Sequence, residues 1–597
     1  MGRPLTGKLH TGQRRETRAN GDVYVYERVT AYDPKTQKTK TVSTRLLGKI
    51  PAGQTEMIPT RPKKTKTSAR ETQVQARRVH GGLLKLLSWI GDQSGIDADL
   101  MKSFSEGDAQ KLISIARYWL STDGEVLTRL QDWQAMNPLP YPGAITQDVY
   151  GDLFKSVGKN EAGMQSYFRQ RADRVSKDSL TLALDTTTFS TYSKNQIEAR
   201  QGFNKDGDGL DTIKLLVLHS AVSHEPIAFA KQPGNIPDRS SLTNAVKQMQ
   251  AIGLLTPTIV ADNGFYCQGN LAYLADRGDK FLMLANSTDK WVREEIDAAR
   301  ESIVHFDNVC PFDLDVRGIT RLRTHAFSVP RQRARGEARA GEQKEFTRRL
   351  YAHVFYKPEM APLQERRLLQ ELTSLKKDLE AGVEEFRPAA QKLIDRFLVV
   401  KRTPKKTTVT YNMQAAKDAQ RYWGYFVLVS NSIKDPFEAL KAYRAREKIE
   451  ELFATYKDSF DGRKPRTRYP ENLHGRQFAQ FIGLGYHCFF AKKVLELKRT
   501  LGTEKEGKTK ADLELEEKLR IWLEQRSLVQ ILDWFRAVDF VRVTGDTSRI
   551  SWSTETTRRD EQAARRWLVA IRVRFIRLSG LKFRHISRQA ATGKAFR

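Results

Sequence analysis

Cysteine is nearly missing from this chain: Cys267, Cys310 and Cys488 are the only three in 597 residues, and none forms a C-x-x-C pair. That spacing excludes a disulfide framework and a cysteine-rich zinc site, and makes a reducing interior the default setting. Histidine is sparse as well, ten residues scattered along the sequence. No apolar run approaches the ~20 residues a membrane span needs. The opening MGRPLTGKLH has no apolar core of the kind a signal peptide carries. Gly2 does fit the myristoylation pattern, but that pattern is short and nothing else points to a membrane. Acidic residues are in deficit, 71 Asp plus Glu against 101 Lys plus Arg, for a formal net charge of +30 and a pI near 9.8. Such an excess fits a polyanionic partner, because basic proteins bind nucleic acid largely by releasing counterions from phosphates.

What is present is enough for real cores: hydrophobic residues make up 39% of the chain. At roughly 100–200 residues per domain the length allows about three to five domains. DVYVYERVTA (22–31), the turn DPKTQ and TVSTRLLGKI read as a β-hairpin, followed by a basic stretch with Arg61, Lys63, Lys64, Lys66, Arg70, Arg77 and Arg78. Residues 1–80 thus form a hairpin-and-linker part, a candidate for DNA binding. Residues 81–176 carry helical apolar spacing, as in GGLLKLLSWIG and AQKLISIARYWL, and form a second candidate for binding DNA ends.

A strand-rich part spans 177–287. SLTLALD is expected to be a strand ending at Asp185, followed by strands IKLLVLHSAV and PIAFA. Asp238 and Ser240 are candidate caps of a helix burying Leu242, Val246 and Met249. TPTIVAD then ends in Asp262, and a helix (NLAYLAD) and a strand (KFLMLANS) complete the series. Three strands, helix, strand, helix, strand is the order of a ribonuclease-H-like domain, although other α/β folds share it. Residues 288–422 interrupt the series as an insertion. Leu368, Leu372, Leu375 and Leu379 in that segment fit either a short coiled-coil seam or an ordinary amphipathic helix. YFVLVS (425–430) returns to the main sheet within a part spanning 423–495, and 496–597 is a basic helical region. The fold class expected is therefore α/β, with a ribonuclease-H-like core interrupted by a large insertion.

Asp435-Pro436 opens a helix well, with Asp as N-cap and Pro at the first helical position. One continuous helix is expected through PFEALKAYRAREKIEELFATYKDSF. At about 100° per residue, Tyr443, Arg446, Glu450 and Lys457 share an arc of roughly 60°. Ala442, Ala445, Ile449, Leu452, Phe453, Tyr456 and Phe460 form the buried face beside it. Spacing alone also fits a solvated face with an Arg446–Glu450 i,i+4 pair.

The run Tyr443-x2-Arg446-x3-Glu450-x6-Lys457 resembles the Y-R-E-K signature of bacterial insertion-sequence transposases of the DDE type. LALDTTTFS resembles that family's first-Asp strand, and IVADNGFYCQGNLAYL its second-Asp turn and helix. The stretch from GFNKDGDG to KQPGN resembles the hairpin between them, and GRQFAQFIGL the later G-x-x-F-x-x-F-x-x-L helix. The resemblance covers roughly residues 175–290 and 423–490. One departure is Asn263, where many relatives carry Arg.

The resemblance implies a metal-binding catalytic triad of Asp185, Asp262 and Glu450, with Glu447 and Glu451 as fallback third carboxylates. Phosphodiester cleavage and transfer need an activated nucleophile and a stabilised leaving oxyanion, and two Mg²⁺ ions about 3.5–4 Å apart provide both. Hard carboxylate oxygens suit Mg²⁺, with Mn²⁺ as a substitute. Asp185 is the expected bridging ligand. Tyr443, Arg446 and Lys457 are implied DNA-end contacts, and Phe265 and Tyr266 are candidates for stacking on a flipped base. Further implications are binding of terminal inverted repeats, cut-and-paste transfer into double-stranded target DNA, a homodimer on paired ends, no membrane, and a bacterial cytoplasmic, nucleoid-associated location. His474 and the basic C-terminal RRWLVAIRVRFIRLSGLKFRHISR are open between DNA contact and structural roles. A nuclease that cuts without joining and a non-catalytic DNA-binding derivative are the alternatives.

Overall fold

The computed structural model describes residues 9–33, 36–60, 75–175, 181–202, 204, 207–254, 257–331, 342–403, 406–458, 467–502, 509–544 and 549–553. Most of the basic linker, Phe460 and the basic C-terminal segment lie outside that set, as do the side chains of Arg77, Ile449 and Glu451. The chain divides into two compact units, Met1–Ala76 with Val543–Ile550, and Arg77–Arg542 with Ser551–Arg597.

The first unit is an antiparallel sheet in chain order: Leu9–Thr17, Val23–Asp33, Lys38–Ile50 and Ile58–Pro59. The expected hairpin is its centre. Val25 and Ala31 are buried on the middle strand, while Leu9–Thr17 is exposed throughout.

In the second unit the strand Thr212–Ser220, TIKLLVLHS, is buried at every position. A near-continuous apolar run of this kind has no solvent face and needs cover on both sides. It pairs antiparallel with Thr181–Ser190 and with Pro226–Pro233. Thr181–Ser190 pairs in parallel with Thr258–Ala261, which pairs in parallel with Lys280–Leu284. With the strands numbered one to five along the chain, the sheet order here is 3-2-1-4-5, an antiparallel meander followed by helical crossovers through Asp238–Ala251 and Gln268–Arg277.

Four further strands extend this sheet to nine. Tyr425–Ser430 adds antiparallel to Lys280–Leu284, followed by Gln343–Tyr356, Asp313–Pro330 and Val309–Cys310. Part of the stretch expected as an insertion is therefore sheet. Its remainder carries its own small core, in which Leu372 and Leu379 of Met360–Glu380 pack with Ile394, Phe397, Leu398 and Val409. The leucine repeat thus serves an amphipathic helix packed on its own neighbourhood.

Six α-helices lie between Gly81 and Val175, as expected for that region. Their layer is completed from far along the sequence by Pro470–Thr500, a 31-residue helix packed on Gln147–Lys159 and Glu106–Thr122. Phe478, Phe481 and Leu484 of that helix are buried, and Phe481 meets Phe229 of the sheet at 5.1 Å. Lys510–Glu524 and Leu528–Arg536 follow it. Among the described residues no helix is long and apolar enough to cross a membrane.

Candidate active site

Register places the two aspartates. Leu184 and Ala261 are partners across the parallel pair of strands. Asp185 and Asp262 are the residues that follow them, so their backbones lie side by side. Asp185 does not end its strand, as expected, but sits inside it, opposite Val217. Asp262 directly follows Thr258–Ala261 and opens the short turn Asn263–Phe265. One Asp185 oxygen accepts the Thr186 N–H at 2.8 Å.

Glu450 comes from a helical segment packed beside these strands. Asp435 caps it by accepting the N–H groups of Phe437 and Glu438, and Pro436 occupies its first turn. The expected continuous helix is in fact two, Pro436–Ala445 and Glu447–Asp458, with the break at Arg446. There the backbone N–H bonds the Tyr443 carbonyl at 3.0 Å, one residue short of the α-helical partner. Leu452, Phe453 and Tyr456 are buried, as the wheel predicts.

Arg446 is the centre of the site. Its guanidinium lies 3.4 Å from Asp185, 3.8 Å from Asp262 and 3.6 Å from Glu450. The side chain is only 6% exposed, against 13% for Asp185, 39% for Asp262 and 65% for Glu450. Burial opposes its charge, but Asp262, Tyr443, Asp185 and Glu450 outweigh that and raise its pKa. The Arg446 Nε is buried with no hydrogen-bond partner among the described residues. Tyr443 donates its hydroxyl to Asp262 at 2.7 Å. Burial and then the Asp262 charge push that phenol well above its ordinary value, so it stays a donor. The i,i+4 pair of Arg446 with Glu450 exists, but as one edge of a larger cluster.

Other expected residues fall elsewhere. Phe265 is 1% exposed and belongs to the main core, so it has no face to offer a base. Tyr266 is also buried, and its hydroxyl donates to Asp289 at 2.8 Å. Glu447 is exposed, and Lys457 is half-buried in the last turn of its helix. Asn263 donates to the Leu284 carbonyl at 3.3 Å, tying the Asp262 turn to the next strand. His474 is half-buried edge-on to Phe229, and burial and then Lys231 lower its pKa. Among the described residues no three Asp, Glu, His or Cys side chains already surround a common metal position. The three carboxylates meet through one arginine instead.

The sequence pattern of the transposase DDE domain matches residues 176–484. That span is more than half of the chain. The protein belongs to the transposase DDE-domain family. Asp185, Asp262 and Glu450 all lie inside the matched span of the transposase domain. No curated protein matches the chain in sequence. A solved structure of the piggyBac transposase synaptic complex with hairpin DNA is similar at 10% identity and a TM-score of 0.32, over 77% of this chain and 84% of that one. That likeness is too remote to carry any inference about the transposase domain.

Three residues beside the site were not singled out as functional from the sequence: Thr186, Lys214 and Asn270. Asp238 was read only as a cap. The available signal was Lys214, the one Lys, Arg, Asp or Glu in TIKLLVLHS. A charge inside a strand buried on both faces requires a buried partner.

Proposed function

We propose that this protein is a DNA transposase that binds terminal inverted repeats, cleaves at the element's ends and joins the freed 3′ hydroxyls to target DNA. Its catalytic triad is Asp185, Asp262 and Glu450, on a ribonuclease-H-like core formed by the 3-2-1-4-5 part of the sheet. The observation that carries this reading is the convergence of three carboxylates, two from adjacent parallel strands in register and one from a facing helix, on a single cation, the Arg446 guanidinium.

That donor set suits divalent metal. Three hard carboxylate oxygens, gathered where a positive charge is already favoured, are what Mg²⁺ or Mn²⁺ binds. Bound there, the metal would activate an attacking oxygen and neutralise the leaving one. Asp185, Asp262 and Glu450 would together hold the metal. Tyr443 steadies Asp262 through its hydroxyl. Arg446 would grip a phosphate of the cleaved strand, and Lys457 would add a point charge further along the helix. The net charge of +30 supports double-stranded DNA as the partner. The resemblance to bacterial insertion-sequence enzymes supports a homodimer on paired ends.

The test is strand joining. Purified protein is incubated in Mg²⁺ with labelled DNA carrying the inverted repeats that flank its gene, beside Glu450→Gln. Cleavage at the repeat boundary with joined products, by the wild type alone, is expected. Cleavage without joining would make the protein a nuclease. Binding without cleavage in Mg²⁺ and Mn²⁺ would make it a non-catalytic derivative.

A further inference from the structure

Lys214 is 5% exposed, and its ammonium donates to the Ile236 carbonyl at 2.5 Å and to Asp238 Oδ1 at 2.7 Å. The same Asp238 oxygen accepts the Thr186 hydroxyl at 2.7 Å. Successive strand residues face opposite sides of a sheet. Thr186 therefore reaches Asp238 from the face opposite to its neighbour Asp185. Thr188, on the Thr186 side, is the cross-strand partner of Lys214.

Asp238 also abuts the other aspartate's turn. A side chain at Gly264, two residues past Asp262, would lie 3.1 Å from Asp238 Oδ2. Asn270, 8% exposed, spans the same gap by donating to the Arg239 carbonyl at 2.8 Å and the Phe265 carbonyl at 2.7 Å. The first turn of helix Asp238–Ala251 is thus joined on one side to the strand carrying Asp185 and on the other to the turn that follows Asp262.

We propose that Asp238, its charge balanced by Lys214, is a positioning residue that sets the separation of Asp185 and Asp262 from behind the sheet, bonded directly to Thr186 and held against the Asp262 turn by Asn270, which ties the next residue's carbonyl to that of Phe265. This rests on the reading of those aspartates as metal ligands. Asp238 takes no part in the bond chemistry. Groups that orient metal ligands without touching the metal typically change affinity by about 10–100-fold when removed.

The test is Mn²⁺ binding to the full chain, followed by electron paramagnetic resonance, with melting temperature measured alongside. Thr186→Val removes one hydroxyl without altering charge. Asp238→Asn removes the charge that balances Lys214; if that variant fails to fold, Thr186→Val carries the test. Both are expected to weaken Mn²⁺ binding by about tenfold. Thr186→Val should melt within a few degrees of the wild type, and Thr186→Ser, which keeps the hydroxyl, should bind within about twofold of it. Asp185→Asn should abolish binding. If Asp185→Asn abolishes binding while Thr186→Val and Asp238→Asn match the wild type, the positioning role is overturned and the metal-site reading stands. If Asp185→Asn itself binds like the wild type, both are overturned.

Discussion

Arg446 carries its charge where little water reaches it, and it keeps that charge because three carboxylates surround it. Burying one member of such a cluster without the others would leave an uncompensated charge, which is far costlier than the paired arrangement. The group next in importance is the Tyr443 hydroxyl, which fixes one oxygen of Asp262. Tyr443→Phe deletes that hydrogen bond and the hydroxyl's interaction with Arg446, and leaves the ring in place. Asp262 is 39% exposed, so water can replace the lost donor, and folding stability should change by less than about 1 kcal/mol. Asp262 would lose its fixed orientation, and single-turnover cleavage should slow by roughly tenfold. Stopped-time cleavage assays beside urea denaturation measure the two effects. An unchanged rate would show that the hydroxyl does not orient Asp262. At this scale the motif spacing singled out Asp185, Asp262, Glu450 and Tyr443, and the structure gathers the same four around Arg446. It did not reveal that Phe265 and Tyr266 are core side chains, because an aromatic after a turn reads the same whether it faces solvent or the interior.

Elements whose period or caps are local were legible: the Asp435-Pro436 helix start, the short strand before Asp262, and the helix burying Leu242, Val246 and Met249. Gln343–Tyr356 was not legible as part of the main sheet because its partner there, Tyr425–Ser430, lies about 70 or more positions later in the chain, and Asp313–Pro330 joins the sheet through Gln343–Tyr356. The break at Arg446 was hidden because helix propensity is high on both sides of it. The helix Pro470–Thr500 is buried on nearly all faces in its first half, so it shows no amphipathic stripe. Glycine explains its closest approach. A side chain at Gly475 would strike the Phe154 backbone, and one at Gly158 would strike that of Glu471. Gly475→Ala should therefore cost about 1–3 kcal/mol or more, since backbone cannot yield as a side chain can. Gly107→Ala meets nothing within 4 Å and should stabilise by about 0.4–1 kcal/mol. Denaturant midpoints of the two variants provide the comparison, and equal midpoints would contradict close helix packing at Gly475.

Across the whole molecule, the core is built with several uncharged histidines. Burial lowers the pKa of His219 to about 3 and those of His353 and His487 to about 4. In the unfolded chain each would protonate near pH 6.5. The folded state therefore binds fewer protons than the unfolded state between those values. The stability due to neutral burial is fully present above about pH 6.5 and is lost as pH falls toward 4. Melting temperature should be flat from about pH 7 to 8 and fall by several degrees at pH 5, and His353→Gln should flatten that slope. Equal melting at pH 7.5 and pH 5 would mean that these imidazoles are not buried neutral.

The claim that Asp185, Asp262 and Glu450 hold metal is tested most directly by changing the chemistry of one ligand. Asp262→Cys replaces a hard oxygen with sulfur, which Mg²⁺ binds poorly and softer divalent ions tolerate. The variant should bind repeat DNA like the wild type, fail to cleave it in Mg²⁺ and recover cleavage in Mn²⁺. Cleavage in Mg²⁺ at the wild-type rate would contradict the assignment of Asp262 as a metal ligand.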